Sequence, residues 1–353
     1  MSIKKLNIAR PSGKQLAVAV FVAALLIGCG LYALNFLNRA VINLKDKDEA
    51  ILYIPTGANY NDVCQLLSLD GWLTDQQHFD FIASIKHYPT HIKAGKYRIT
   101  NNMSAIDLVN MLRSGDQIPV NVTFNNIRTL EHLAAVASRN IESDSAELIA
   151  AMTDPELISK YHFTPATLPA MFLPNTYQFM WNTNGEQWME RMNTEYNRFW
   201  SAERIYKADS LGLTPIEVSI IASIIEEETN KVDELPIIAG IYINRLRQGM
   251  LLQACPTLKY ALGNFAIRRI LKKDQEIDSP YNTYKYAGLP PGPIRIPSIT
   301  AIDAVLNATD HEYLFMCARP DGSGRHNFAR TNAEHQRNAT IYQKELNKRK
   351  IYR

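Results

Sequence analysis

The strongest hydrophobic pattern is an unbroken one. From Leu16 to Leu34 no charged residue interrupts the apolar run, which extends to Leu37. A helix of about 20 residues rises about 30 Å, the thickness of a bilayer's hydrocarbon core, so a transmembrane anchor over 15–38 is predicted. Lys4, Lys5, Arg10 and Lys14 precede the run and Arg39 follows it closely. The positive-inside rule then leaves residues 1–14 as a cytoplasmic tail and exports the rest of the chain. A buried helix of a soluble protein is the plainer alternative. A second alternative is Leu26-Ile27-Gly28-Cys29, which has the form of a lipoprotein processing box with Cys29 as the lipidated residue. The apolar run continues past it, which favours an uncleaved anchor.

After a charged linker over 39–49, ending in Lys45-Asp46-Lys47-Asp48-Glu49, the periodicity becomes mixed. Ile51–Ile54 reads as a strand stopped by Pro55-Thr56-Gly57. Helical spacing of Val63, Leu66 and Leu67 follows, then a second helix over about 76–87 and a strand at Ala94–Ile99. Ser104 caps a helix with Ile106, Leu108, Val109 and Leu112 on one face. A small α+β unit over 50–118 is expected, with the layout of a LysM-type glycan-binding module. The remainder, 119–353, is predicted to be a larger mixed α/β domain, making the fold class α+β. Within it Val120–Phe124 alternates as a strand, Leu130–Met152 is helical, and 188–211 reads as one long amphipathic helix.

The helix of greatest chemical interest begins at Thr214-Pro215-Ile216-Glu217. Thr214 is the N-cap, Pro215 fills the first turn and Glu217 closes a capping box. Val218–Ile225 is apolar nearly all round, so the helix belongs in a core. It ends in Glu226-Glu227-Glu228-Thr229. A helix C-terminus disfavours carboxylates, and burial and like charges raise a carboxyl pKa. A carboxyl so raised remains protonated near neutral pH and serves as a general acid. At about 100° per residue, Glu226 shares a stripe with the small residues Ser219, Ala222 and Ser223, a face shallow enough for a ligand. Glu228 points about 160° away, a poor geometry for a two-carboxylate glycosidase. Glu226 is therefore the expected acid and Glu228 a supporting group, against the bland alternative of a solvated acidic helix end.

Composition narrows the class. A net charge of +3 and a charged fraction of 21% show no concentrated basic patch for nucleic acid. No zinc-type Cys/His spacing occurs, so neither metal nor cofactor is expected. Cys64, Cys255 and Cys317 remain beyond Cys29, which permits one bridge but no disulfide framework.

Several ordered motifs are specific. Ala222-Ser223-Ile224-Ile225-Glu226-Glu227-Glu228-Thr229 is followed by Ile241-Tyr242-Ile243-Asn244-Arg245-Leu246, Gly249–Gln253 and Pro256-Thr257. Tyr281-Asn282-Thr283-Tyr284, Gly288–Ile294 and His326-Asn327-Phe328 come later. Together, from about Ile51 onward, they resemble the endolytic murein transglycosylase family. The resemblance implies cleavage of the β-1,4 bond between N-acetylmuramic acid and N-acetylglucosamine in nascent strands, leaving 1,6-anhydromuramic ends and terminating elongation. It implies one glutamate, placed at Glu226, acting as acid and then as base. Membrane-tethered work beside glycan synthases (penicillin-binding proteins) in the periplasm also follows from it.

Departures are Cys255 where the family typically has aspartate, Glu227 where a basic residue is usual, and Asn175 where Asp is common. Asn244 and Arg245 are expected to orient Glu226 or bind substrate. Ser223, Gln253, Thr257, Tyr281, Asn282, Thr283, Tyr284, Leu289 and Pro290 are the candidate sugar contacts, aromatic faces stacking on rings and amides and hydroxyls bonding substituents. Each has an ordinary structural alternative. His326 reads as structural or substrate-lining, since no serine or cysteine motif is placed to use it. A catalytically silent peptidoglycan-binding scaffold is the rival reading. A hydrolytic muramidase would need a second carboxylate, with Asp274, Glu276 and Asp278 as donors.

Overall fold

A computed structural model describes residues 13–267 and 270–348. Residues 1–12, most of the expected cytoplasmic tail, lie outside the described residues. The protein is α+β, and its chain divides into two compact units. One comprises residues up to Pro119 with Met180–Asn182, the other Val120–Phe179 with 183–353.

In the first unit, α1 (Gly13–Leu37) has a mean hydropathy of 2.5 and no buried residue. It is long and apolar enough to cross a membrane, a test that a signal sequence also passes. Then come β1 (Glu49–Ile54), α2 (Tyr60–Leu69), α3 (Gln76–Ile85), β2 (Gly95–Thr100) and α4 (Ala105–Ser114). β1 and β2 pair antiparallel, Glu49 opposite Thr100 and Ile54 opposite Gly95, with α2 and α3 in the connection. The expected linker differs from the observation. Val41, Ile42 and Leu44 are 0–3% exposed in this unit's core, and Ile42 bridges Leu73. Those apolar residues lie just ahead of the charges at 45–49, and burying them outweighs the solvation that the charges alone suggested.

The second unit contains β3 (Val120–Phe124), α5 (Leu130–Ala137), α6 (Ser145–Thr153), α7 (Pro155–Lys160), β4 (Asn175–Phe179), α8 (Gly185–Phe199), α9 (Ala202–Leu211), α10 (Pro215–Glu228), α11 (Leu235–Arg247), α12 (Cys255–Ala261), α13 (Ile299–Leu306), β5 (Phe315–Ala318), β6 (His326–Ala329) and α14 (Asn332–Lys348). β3 pairs with β4 and β5 with β6, both antiparallel. The single long helix expected over 188–211 is two helices. Ser201 caps α9, its hydroxyl accepting from the Arg204 amide, so a local side-chain bond interrupts an otherwise continuous pattern. The core is built from α10, α11 and α13, with Val218, Ile221, Ile224, Ile238, Ile302 and Val305 all 0% exposed. Gly292 lets the Pro/Gly-rich loop lie against the Ala166 carbonyl, where any Cβ would collide.

Candidate active site

α10 starts as its sequence predicts: Thr214 Oγ1 accepts from the Glu217 amide while Glu217 Oε2 accepts from the Thr214 amide. Eight consecutive residues, Val218 to Ile225, are buried. The three terminal glutamates leave the helix in different directions. Glu226 Oε2 accepts from the Ser298 amide at 2.9 Å, at the N-cap of α13. Arg295 Nε lies 3.6 Å from the same oxygen, too long for a hydrogen bond. Glu227 takes both oxygens to Arg128 (2.7 and 2.9 Å) and Oε1 to Arg295 (2.7 Å). Arg128 in turn stacks on Phe265, 4.2 Å from the ring centre. Glu228 Oε1 accepts from the Tyr242 hydroxyl at 2.8 Å.

The surroundings of Glu228 raise its proton affinity. Burial is the dominant cause; the Tyr242 hydrogen bond and the charges of His326 and Lys259 oppose it more weakly. The stripe expected to face a ligand faces protein instead. Ser219, Ala222 and Ser223 are 0% exposed, and Ser223 Oγ donates to Ile220 O and accepts from the Ile294 amide. Small residues permit close approach, and here the approaching group is the chain at 294–298. Ser223 is thus sealed from any sugar.

Glu228 shares its surroundings with Tyr242, Cys255 and Tyr284. The Cys255 thiol and Tyr284 hydroxyl are 3.2 Å apart. Burial, aided by Glu228, pushes the Cys255 thiol up to about 11. Burial likewise raises Tyr284, with Cys255 and Glu228 adding to the shift and Arg245 opposing it. Four groups on α10, α11, α12 and the 281–284 loop therefore sense one another's charge.

Other predicted residues hold this cluster rather than line it. Thr257 Oγ1 and Thr283 Oγ1 are 2.9 Å apart, and Thr283 also accepts from the Ala254 amide at 3.0 Å. Asn282 is 0% exposed; its amide donates to Gln275 O and Ile277 O while Oδ1 accepts from the Tyr284 amide. Asn244 clamps His311 O and Tyr313 O, not Glu226. Arg245 Nη1 donates to Leu251 O, Leu252 O and Gln253 Oε1, and Nε to Leu314 O. Gln253 is exposed with φ of +52°, left-handed backbone that a non-glycine residue adopts only when its surroundings impose it. Tyr281 is half-buried against Tyr260, ring centres 4.6 Å apart. Leu289 lines a cavity of about 520 Å³ with Asp278, Ser279, Pro280, Tyr286 and Pro291, while Pro290 is buried beside it. Cys29, Cys64, Cys255 and Cys317 are all free thiols. Among the described residues no three His, Cys, Asp or Glu side chains converge as a metal site.

One pair was missed. Glu234, only 3% exposed, accepts from His326 Nδ1 (2.9 Å) and from the His326 amide (3.1 Å). The two are 92 residues apart, so no local pattern joins them; only the His326-Asn327-Phe328 motif drew attention to one end.

These motif residues are the ones a family profile would test, and the profile of the YceG-like family matches residues 52–341. The chain belongs to the YceG-like family. It is 30% identical to an endolytic murein transglycosylase of Streptococcus pneumoniae R6, over 90% of this chain and 63% of that protein. It thus spans less than two thirds of the pneumococcal relative's length. An endolytic murein transglycosylase of Bacillus subtilis 168 is 27% identical over 87% of this chain and 88% of its own. The crystal structure of a YceG-like protein from Listeria monocytogenes aligns with a TM-score of 0.52 at 26% identity, covering 83% of this chain and 99% of that one.

Proposed function

We propose that this YceG-like protein is an endolytic lytic transglycosylase of peptidoglycan, and that Glu228 is its acid and base. The observation that carries the reading is Glu228 itself, a carboxyl whose proton affinity burial raises and which accepts from Tyr242 near the Cys255–Tyr284 pair, on segments carrying four of the family-like motifs. Glu226, the acid expected from the helix stripe, is engaged by the Ser298 amide, and the face beneath it is closed.

In this reading the neutral Glu228 carboxyl protonates the oxygen that links muramic C1 to the next N-acetylglucosamine. As the C1–O bond breaks, the muramyl 6-hydroxyl oxygen bonds to C1 and yields its proton to the carboxylate. The product is a 1,6-anhydro end, and Glu228 is regenerated without water. Tyr242, donating to the carboxyl, steadies its ionised form between the two transfers. Asp274 caps its own turn at Leu271, and Asp278 pairs with Lys285 and Tyr286 on the surface. Helix α1 anchors the protein in the inner membrane, the LysM-like first unit holds glycan in the periplasm, and cleavage beside glycan synthases ends nascent strands.

The full chain in detergent, as wild type, Glu226→Gln and Glu228→Gln, is to be incubated with purified sacculi and the products weighed by mass spectrometry. Anhydro ends lost only in Glu228→Gln support the reading. Loss only in Glu226→Gln returns the role to that residue. Reducing ends mean hydrolysis, and no cleavage by wild type means a binding scaffold.

A further inference from the structure

The first unit does not hang loosely from the apolar helix that precedes it. Arg39 Nη2, two residues past α1, lies 2.9 Å from Asp75 Oδ2, and the other oxygen of Asp75 caps α3 by accepting from the His78 amide. Ala40 bridges Ser104, and the Val41 carbonyl accepts from both the amide and the hydroxyl of Thr74. The ring of Phe36 completes the joint. It stands edge-on to His78 at 4.4 Å and to Phe81 at 5.6 Å, both on α3. Beside this joint α3 leaves apolar side chains uncovered, Phe81 at 51% exposure and Ile85 at 57%. Four residues apart on a helix, they share a face. The other exposed positions of α3, Gln76, Gln77 and Ser84, are uncharged. Asp80, the one acid within the helix, is half-buried and accepts from the Tyr60 hydroxyl. Lys86 closes the helix. An apolar face without anionic charge, ending in a lysine, suits a surface of anionic lipid.

We propose that the Phe81–Ile85 face of α3 rests in the outer interface of the bilayer that α1 crosses, so that the first unit is docked on phospholipid as well as tethered to it. The inference rests on α1 being a membrane anchor. The level of the face follows from the helix. The uncharged run Leu16–Leu34 rises about 28 Å, close to the thickness of the hydrocarbon core. Phe36, two residues beyond that run, stands at its outer boundary, and Phe81 touches Phe36. Lipid is the occupant because the face is continuous with the bare flank of α1, which has no buried residue and meets lipid along its whole length in the same reading. An apolar side chain at that level leaves water for the acyl boundary at a gain. Held by the joint at Arg39 and Phe36 and by this face, the first unit keeps one tilt toward the membrane, and the glycan it holds is met at a fixed height above the lipid.

The test is photocrosslinking of the full chain in vesicles of phosphatidylethanolamine and phosphatidylglycerol, with benzoylphenylalanine in place of Phe81. Parallel chains carry the same residue in place of Leu26, inside the span, or of Leu69, an 80% exposed side chain on α2. After irradiation and digestion, mass spectrometry is expected to find phospholipid on the peptide that spans Phe81. Its yield should exceed that at Leu69 by at least about tenfold, the factor that burying one large apolar side chain corresponds to. Equal yields at the two positions overturn the proposal, since any exposed apolar side chain would then collect lipid. A crosslink between two chains in place of lipid overturns it in favour of a second copy on this face. Should the chain not tolerate replacement of Phe81 because of its contact with Phe36, the replacement of Ile85 reads the same face. Lipid at Leu26 with none at Phe81 or Ile85 overturns the docking and leaves the anchor standing. No lipid at Leu26, or a membrane-isolated protein whose intact mass lacks α1, means that the anchor reading has failed and takes this inference with it.

Discussion

The Tyr242 hydroxyl donates to Glu228 Oε1 across 2.8 Å, joining the last turn of one buried helix to the middle of the next. Burial raises the tyrosine's own pKa well above its ordinary value, and Glu228 adds to that rise, so the phenol stays a donor over the working range. Its bond favours the ionised carboxyl. Tyr242→Phe is expected to raise the proton affinity of Glu228, move the alkaline limb of kcat upward, and slow turnover by about tenfold or more, the usual loss for a hydrogen bond to a charged group. Steady-state rates of anhydro-end release across pH check this.

Glu228→Gln should reduce anhydro-end formation by about 10³-fold, in the range for a general acid–base group, whereas Glu226→Gln should stay within about tenfold of wild type. Comparable losses in both variants would contradict the separation of the two side chains seen at Ser298 and Tyr242.

The same Glu228 variant should be more stable than wild type in alkali. The folded pKa of Glu228 lies above its unfolded value of 4.5 because burial penalises the charge. Its contribution to stability is complete below the unfolded value and is lost as pH rises through the folded one. Glutamine removes that titration. Melting temperatures of the two proteins should coincide near pH 4 and diverge in favour of Glu228→Gln as the pH rises above the unfolded value of 4.5.

Glu227 has a structural task. Its carboxylate (side chain 17% exposed) neutralises Arg295 (8% exposed) and reaches the half-exposed Arg128. Glu227→Gln takes from the buried Arg295 the carboxylate it is hydrogen-bonded to, leaving it the more distant Glu226 oxygen at 3.6 Å, and should cost about 3 kcal/mol by denaturant titration. Adding Arg295→Met should recover part of that loss, since the unpaired charge goes with it.

Cys255 can be probed directly. With its thiol pushed up to about 11 from an ordinary 9.0, the reactive thiolate is roughly a hundredfold scarcer than in an unfolded chain. Peptide mapping after iodoacetamide should show correspondingly slow labelling of Cys255 in the folded protein. Cys255→Asp, restoring the residue more usual in the family, places a like charge near Glu228 and should shift the alkaline limb of kcat upward.

Much of the fold was legible because it depends on neighbours in sequence. The capping box at Thr214 and Glu217, the apolar run to Ile225 and the paired strands at 49–54 and 95–100 rest on local spacing. The misread segments were those where distant packing decided. Val41, Ile42 and Leu44 joined a core that the charges beside them obscured. Ser219 and Ser223 were expected on a face open to a ligand, but nothing local could say that residues 294–298 would fill it. Asn282, Thr283 and Thr257 were expected as sugar contacts, but they are buried and their hydrogen bonds turn inward.

Taken alone, the sequence determined the helix, its ends, its burial and the row of three glutamates, because helical period and capping are properties of adjacent residues. It also determined that Glu226 and Glu228 face apart. Only the tertiary structure decided which of them meets a tyrosine, and which meets the backbone of another helix. Proton affinity follows from that choice, since it is set by the atoms that replace water around a carboxyl, and those come from segments far along the chain.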